Sequence, residues 1–264
     1  MMLTNQYDSH HPRWRNKVPA VVLSFWIIKI LSTTVGETGA DYLAFDAGWG
    51  LPTTTLIMGA LLAGALWLQF RTRHYTPWIY WTNVILVSIV GTQITDLLTD
   101  AMGVSLYVST AVFATLLVCL FAAWYRAEHT LSIKEIDSPR REAYYWAAIL
   151  CTFALGTATG DLATEALGLG FFGGVLAFGA FIATTFAVWR MGGNAVSCFW
   201  IAYILTRPFG ASLGDLLTQE KIDGGLGIGT AWISAAFLAV IVLLVARAEF
   251  GMQRNRETLA GRLP

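Results

Sequence analysis

Four times in this chain a glycine is followed five residues later by an aspartate: Gly36 and Asp41, Gly91 and Asp96, Gly156 and Asp161, Gly210 and Asp215. Each pair sits at the end of a long apolar run. A carboxylate at membrane depth costs roughly 3 kcal/mol or more unless it is paired, hydrated or turned into a bundle interior, so it marks a functional site by default. Carboxylates so placed either coordinate hard cations through oxygen or take up and release protons.

Aligned on the aspartate, the four copies read GETGADYLAFDAG, GTQITDLLTDAMG, GTATGDLATEALG and GASLGDLLTQEKIDGG. Glycine returns seven residues after the aspartate in three copies and two residues later still in the fourth. Residues three and four apart share a helix face. A helix running through the motif therefore puts Glu37 with Asp41, Thr92 with Asp96, Thr99 and Asp100, Thr157 with Asp161, Thr164 and Glu165, and Asp215 with Thr218 and Gln219. The repeated glycine permits either close helix approach or a local break, and both alternatives stand. The plainer alternative is a packing notch beside an aspartate that bonds its own backbone.

The elements that carry these stripes follow from composition. With 56% hydrophobic and 13% charged residues and a mean hydropathy of +0.58, the chain is far below the about 25% charge of a soluble domain. The expected fold is all-α: a polytopic membrane helix bundle. Eight apolar segments, at about 19–41, 51–70, 78–98, 106–125, 144–163, 171–190, 195–217 and 229–247, are each close to the about 20 residues that span the hydrocarbon. They lack the alternation of barrel strands. Four two-helix repeats result, at about 19–77, 78–136, 143–193 and 194–247, in one transmembrane domain over 19–247, with cytoplasmic tails at 1–18 and 248–264. Odd helices bear the aspartates and are expected inside, with even helices as the lipid-facing wall.

Basic residues cluster on one side: Arg13, Arg15 and Lys17, then Arg71 and Arg73, Arg126, Lys134, Arg140 and Arg141, Arg190, and Arg247 onward. The positive-inside rule makes that side, and both termini, cytoplasmic. The opposite side is acidic. From the basic edge of each odd span to its aspartate is 17–22 residues, or roughly 26–33 Å at helical rise, which places the carboxylates in an outward vestibule. Trp67, Trp78, Trp81, Trp124, Trp146 and Trp189 fall near the inner ends and are expected as interfacial anchors. The start, MMLTNQYDSHHPRWRNK, is polar and basic, unlike a cleavable signal. The linker RAEHTLSIKEIDSPRRE is expected to be solvated.

Cys119, Cys151 and Cys198 lie in apolar stretches as reduced packing residues. His10, His11, His74 and His129 sit in polar flanks without zinc-ligand spacing, so no structural zinc and no other cofactor is expected. A net charge of zero, segregated by position, implies the lipid bilayer and no nucleic acid as partner.

Three residues break the symmetry. Lys29 lies inside the first span below Glu37 and Asp41, and a lone intramembrane lysine normally demands either a carboxylate partner or surroundings that leave its amine neutral. Arg207 takes the equivalent place near Asp215, and Pro208 bends or interrupts its helix. Lys29 and Arg207 are expected to balance charge, and copies one and four to be the working half with copies two and three as scaffold.

The strings KILSTTVGETGADYL and ILTRPFGASLGDLL, with GGLGIG following, resemble the bacterial membrane-protein family built from a repeat of unknown function, described as uncharacterised membrane-anchored proteins. The resemblance covers 19–247. It implies the repeat architecture and a bacterial cytoplasmic membrane, and brings no activity and no site residue with it.

Three functions fit the residues. The first is a transporter or channel for a small cation, a divalent metal or a proton-coupled solute, with Glu37, Asp41, Asp96, Asp161 and Asp215 along the pathway; no G-x4-G-K-S/T motif is present to bind ATP. The metal, if one is carried, is left open. The second is a non-catalytic scaffold in which the aspartates tie helices together. The third, an outer-leaflet enzyme, lacks a nucleophile near a histidine and is the weakest, so no enzymatic activity is expected. The first predicts that carboxylates of all four copies converge on one water-accessible pocket.

Overall fold

Proline starts and glycine stops bound the helices. The computed structural model describes residues 16–260, so His10, His11, Arg13 and Arg15, and with them most of the expected N-terminal tail, lie outside the described residues. Eight α-helices follow one another: α1 Leu23–Asp41, α2 Leu51–Arg71, α3 Pro77–Asp96, α4 Leu106–Glu128, α5 Pro139–Asp161, α6 Gly170–Arg190, α7 Ala195–Thr218 and α8 Thr230–Ala260. Pro52, Pro77 and Pro139 occupy first-turn positions, where the missing N–H is harmless. The Asn194 side chain caps α7 by accepting from Val196 and Ser197 N–H at 3.0 Å. α8 continues through most of the stretch expected as a tail.

The glycine-to-aspartate segments are continuous helix, which settles the choice between close approach and break. After Asp41, Asp96 and Asp161 the helix widens into a π-turn, Tyr42–Asp46, Leu97–Ala101 and Leu162–Ala166. Each ends at the returning glycine in a left-handed conformation: φ is +70° at Gly48, +68° at Gly103 and +70° at Gly168, and the displaced Gly224 has +90°. A side chain at such a φ is strained, which is why glycine recurs there.

The odd helices form a closed ring in the order α1, α3, α5, α7, with each packed on the next and α7 packed back on α1. The repeat glycines are the points of closest approach. A Cβ on Gly36 would overlap Ser88; on Gly91 it would stand 2.6 Å from the Phe153 Cβ; on Gly156 it would overlap the Arg207 stem; and on Gly210 it would overlap Thr33. One contact is thus repeated around the whole ring, and small residues bring the backbones together as in other membrane bundles. The even helices lie outside: α2 on α3, α4 on α5, α6 on α7 and α8 on α1. Only 11% to 17% of the apolar windows of α2, α4, α6 and α8 is buried, against 50% for α3 and 61% for α5.

Among the described residues six helices are long and apolar enough to cross a membrane: α2, α3, α4, α5, α6 and α8. α1 and α7 fall short of that measure because they face the ring interior with Lys29, Glu37 and Asp41, and with Arg207 and Asp215.

Three expectations about the inner end are corrected. Trp81, Trp124 and Trp146 are buried at 3%, 0% and 4% exposure, while Trp67, Trp78 and Trp189 are exposed. The buried set packs with Tyr80, Tyr145, Trp200 and Tyr203 into an aromatic plug across the ring, where the Tyr80 and Tyr145 hydroxyls share a 2.5 Å hydrogen bond. Burial is set by which way each tryptophan points, so Trp124 of the wall helix α4 turns inward while Trp78 of the ring helix α3 does not, and position along the span does not reveal that. Lys17 is no solvated tail residue: it is buried, bonds Glu142 at 2.5 Å, and Gln69 Nε2 donates to the other Glu142 oxygen at 2.9 Å. The linker packs as well, with Ile133 and Ile136 buried and Arg141 bound to Glu128 at 2.9 Å. The three cysteines are free, but Cys119 is exposed on the outer wall rather than buried.

Candidate functional site

At the acidic end of the ring, Glu37, Asp41, Asp96, Asp161 and Asp215 line one cavity of about 210 Å3. Asp100, Glu165, Thr99 and Gln219 line it too, with Phe45, Leu106 and Phe171 as apolar wall. The residues follow the repeat. The fourth residue after each aspartate contributes, as Phe45, Asp100, Glu165 and Gln219, and so does the tenth in two copies, Leu106 and Phe171. Phe45, Asp100 and Glu165 at the rim are exposed, Asp41, Asp96 and Asp161 are half-buried, and Glu37 and Asp215 at the floor are buried. Copies two and three therefore supply as much of the cavity as copies one and four, and the expected division into working half and scaffold does not hold.

Seven carboxyl groups share this space. None of the four repeat aspartates has a side-chain hydrogen bond or ion pair among the described residues; Asp215, 8% exposed, faces the cavity without a protein donor. Like charges this crowded in a partly dry site favour protons or cations as company. Among the described residues no three of His, Cys, Asp and Glu stand close enough to ligate one metal ion together. The set does not fit a directly coordinated, resident metal.

Beneath the cavity Arg207 reaches all three other ring helices. Its Nη2 donates to Glu37 Oε2 of α1 at 2.6 Å, to Thr157 Oγ1 of α5 at 2.8 Å and to Thr92 Oγ1 of α3, and its Nη1 donates to the Thr33 carbonyl at 3.3 Å. Glu37, Thr92 and Thr157 are the equivalent residues of copies one to three, each four before its aspartate. The guanidinium of copy four thus occupies the centre of the ring and closes the cavity floor. The ion pair that Arg207 makes is with Glu37 rather than with Asp215.

Of the two alternatives for Lys29, a carboxylate partner is not the one the structure provides. It is fully buried, its Nζ has no hydrogen-bond partner, and it lies 4.1 Å from the centroid of Phe153 and 4.4 Å from that of Tyr203. Eight residues separate it from Glu37, about 12 Å along the helix, so the carboxylate is out of reach. Pro208 does not interrupt α7, which runs unbroken from Ala195 to Thr218. Its ring instead fits against Gly156 and Gly160 of α5.

Sequence reasoning missed the wall residues Phe45, Leu106 and Phe171, which the repeat register alone would have found, and the Thr33 carbonyl, which no side-chain pattern announces. A larger hollow of about 460 Å3 lies on α4 between Tyr107, Val112 and Leu116. It is apolar, sits on the outer wall and carries none of this chemistry.

Four stretches of the chain, 24–75, 79–130, 144–192 and 198–248, match the family model described as Repeat of Unknown Function (DUF347). No curated protein and no solved structure matches the chain.

Proposed function

The chain belongs to the family of DUF347 repeat proteins, and from that starting point we propose that it is a multi-pass transporter or channel for a small cation, a divalent metal or a proton-coupled solute, which passes through the acidic cavity shared by its four copies. The observation that carries this is Asp215: a buried carboxylate, without a protein donor, turned into the same cavity as Asp41, Asp96 and Asp161. Helix-locking alone would have given these groups partners.

The cargo is a hard cation that keeps its water. A cavity of about 210 Å3 has room for a cation together with several water molecules, and magnesium-like ions shed water reluctantly. Carboxylates acting through that shell need no direct ligand triad. The outward cavity ends at Arg207 and Glu37, and the aromatic plug lies below, so passage requires both to open in turn; a gradient supplies the energy.

Eight crossings, a bacterial cytoplasmic membrane and cytoplasmic termini complete the proposal. They are supported by the basic residues at the end opposite the cavity and by the length of α1 and α7, 19 and 24 residues. The protein performs no chemistry on its cargo.

A scaffold is the second reading, favoured by the way Arg207 ties four helices together. Cation flux into reconstituted vesicles separates the two. Wild-type flux, lost in Asp41→Asn and Asp215→Asn, supports transport, whereas no flux of any cation by the wild type leaves the scaffold.

A further inference from the structure

We propose that Lys29 is the proton site coupled to cation occupancy: a cation entering the outer cavity expels one proton from the Lys29 ammonium, so that the protein exchanges cation for proton. The inference rests on the cavity being a cation site, and adds how its filling is sensed one layer below.

Lys29 is the one described lysine that is fully buried with an unpartnered amine. Two ring faces, Phe153 and Tyr203, replace only part of the water an ammonium would hold. Arg207 stands over the same Phe153, its Cζ 5.8 Å from the centroid where the Lys29 Nζ is 4.1 Å away. The two cationic side chains are therefore within about 10 Å of each other, both buried and unscreened by solvent. A guanidinium keeps its charge. What keeps the pair tolerable is Glu37, whose carboxylate lies on Arg207.

Around Lys29 itself the titratable and charged groups are few. α1 offers Glu37, with Asp41 a turn beyond; α3 and α5 offer the hydroxyls of Tyr80 and Tyr145; α7 offers Tyr203 and Arg207. α8, packed on α1, is apolar throughout 235–246, with Arg247, Glu249 and Arg254 beyond. Glu37 alone belongs both to the cavity lining and to the Arg207 pair. A cation held by the cavity carboxylates draws on the negative charge of Glu37, and Arg207 is then left less compensated. The N–H bond of the nearby ammonium breaks, the electron pair stays on Nζ, and the proton goes to solvent water. The reverse step, protonation of Lys29, weakens the hold on the cation.

Calorimetric titration of the purified full-length protein with Mg2+ tests this, in two buffers of different ionisation enthalpy and across pH. The wild type is expected to release one proton more per Mg2+ than Lys29→Met, and the slope of log affinity against pH is expected to be shallower by one in the variant. Lys29→Arg, which cannot give up its charge, is expected to bind Mg2+ at least tenfold more weakly than the wild type at high pH. In the unsubstituted protein, the Lys29 Nζ resonance of 15N-lysine-labelled material is expected to move from ammonium to amine on adding Mg2+, a readout that needs no variant to fold. An equal proton count in Lys29→Met, or an unmoved resonance while Mg2+ binds, overturns the coupling and leaves the cation site standing. No Mg2+ binding by the wild type at any pH overturns the cation site and the coupling with it.

Discussion

Arg207 Nη2 lies 2.6 Å from Glu37 Oε2, joining the fourth copy to the first where the ring of helices closes. Both groups are buried, and both are oxygen- or nitrogen-rich exceptions at positions where the other copies place neutral residues. Removing one partner strands the other as an uncompensated charge. Arg207→Met is expected to destabilise the protein by about 3–5 kcal/mol, and Arg207→Met combined with Glu37→Gln to recover part of that loss. Equilibrium unfolding in mixed detergent measures both.

Glycine positions separate ring from wall. Gly91→Ala and Gly156→Ala push a methyl group into Phe153 or the Arg207 stem, and are expected to cost about 1–3 kcal/mol as overpacked sites. Gly59→Ala and Gly64→Ala on α2 meet nothing within 4 Å; there the gain in helix propensity, up to about 1 kcal/mol, is expected to raise stability. The same unfolding assay compares the four.

The crowded carboxylates predict a reversal of the usual effect of neutralisation. Without added cation, Asp96→Asn and Asp161→Asn relieve like-charge repulsion in the cavity and are expected to raise the thermal midpoint. With Mg2+ at about 100 times Kd, the wild type is expected to gain about 2.7 kcal/mol and overtake them. Thermal scans with and without Mg2+ check the crossing.

At the opposite end, Lys17 and Glu142 form a buried pair at 2.5 Å that ties the segment before α1 to the start of α5. Glu142→Gln keeps the hydrogen bond to Gln69 in reach but replaces the carboxylate that pairs with Lys17 by a neutral amide. A loss of stability is expected, with Mg2+ affinity unchanged because the pair lies far below the cavity. Unfolding and Mg2+ titration together test the separation.

Much of this was legible in the residues. The apolar runs gave seven helices to within about five residues at each end and the eighth thirteen residues short at its end, and the spacing of Glu37, Thr92 and Thr157 before their aspartates put them on the inward face where Arg207 meets them. Internal repetition did the most, since one motif seen four times fixes a face as a single motif does not. Where identity depends on what lies across the ring, the pattern was silent. For Lys29 an ion pair and a neutral amine both stood open, because Phe153 and Tyr203, which meet its amine, come from other helices. Trp81, Trp124 and Trp146 looked like interfacial anchors by depth, while burial depends on the rotation of each helix about its axis. Pro208 looked like a bend or a break; there is no break, and the glycines that receive it sit on α5. Lys17 looked like tail because its partner is 125 residues away.

The claim on which the account turns is that four copies build one site. Equilibrium titration of the wild type with Mg2+, set beside Asp41→Asn, Asp96→Asn, Asp161→Asn and Asp215→Asn, tests it most directly. One shared cavity predicts a single Mg2+ per chain and a weakening of at least about tenfold, 1.4 kcal/mol, in every one of the four variants. Several independent sites per chain, each lost with its own aspartate while the rest bind as before, would contradict it.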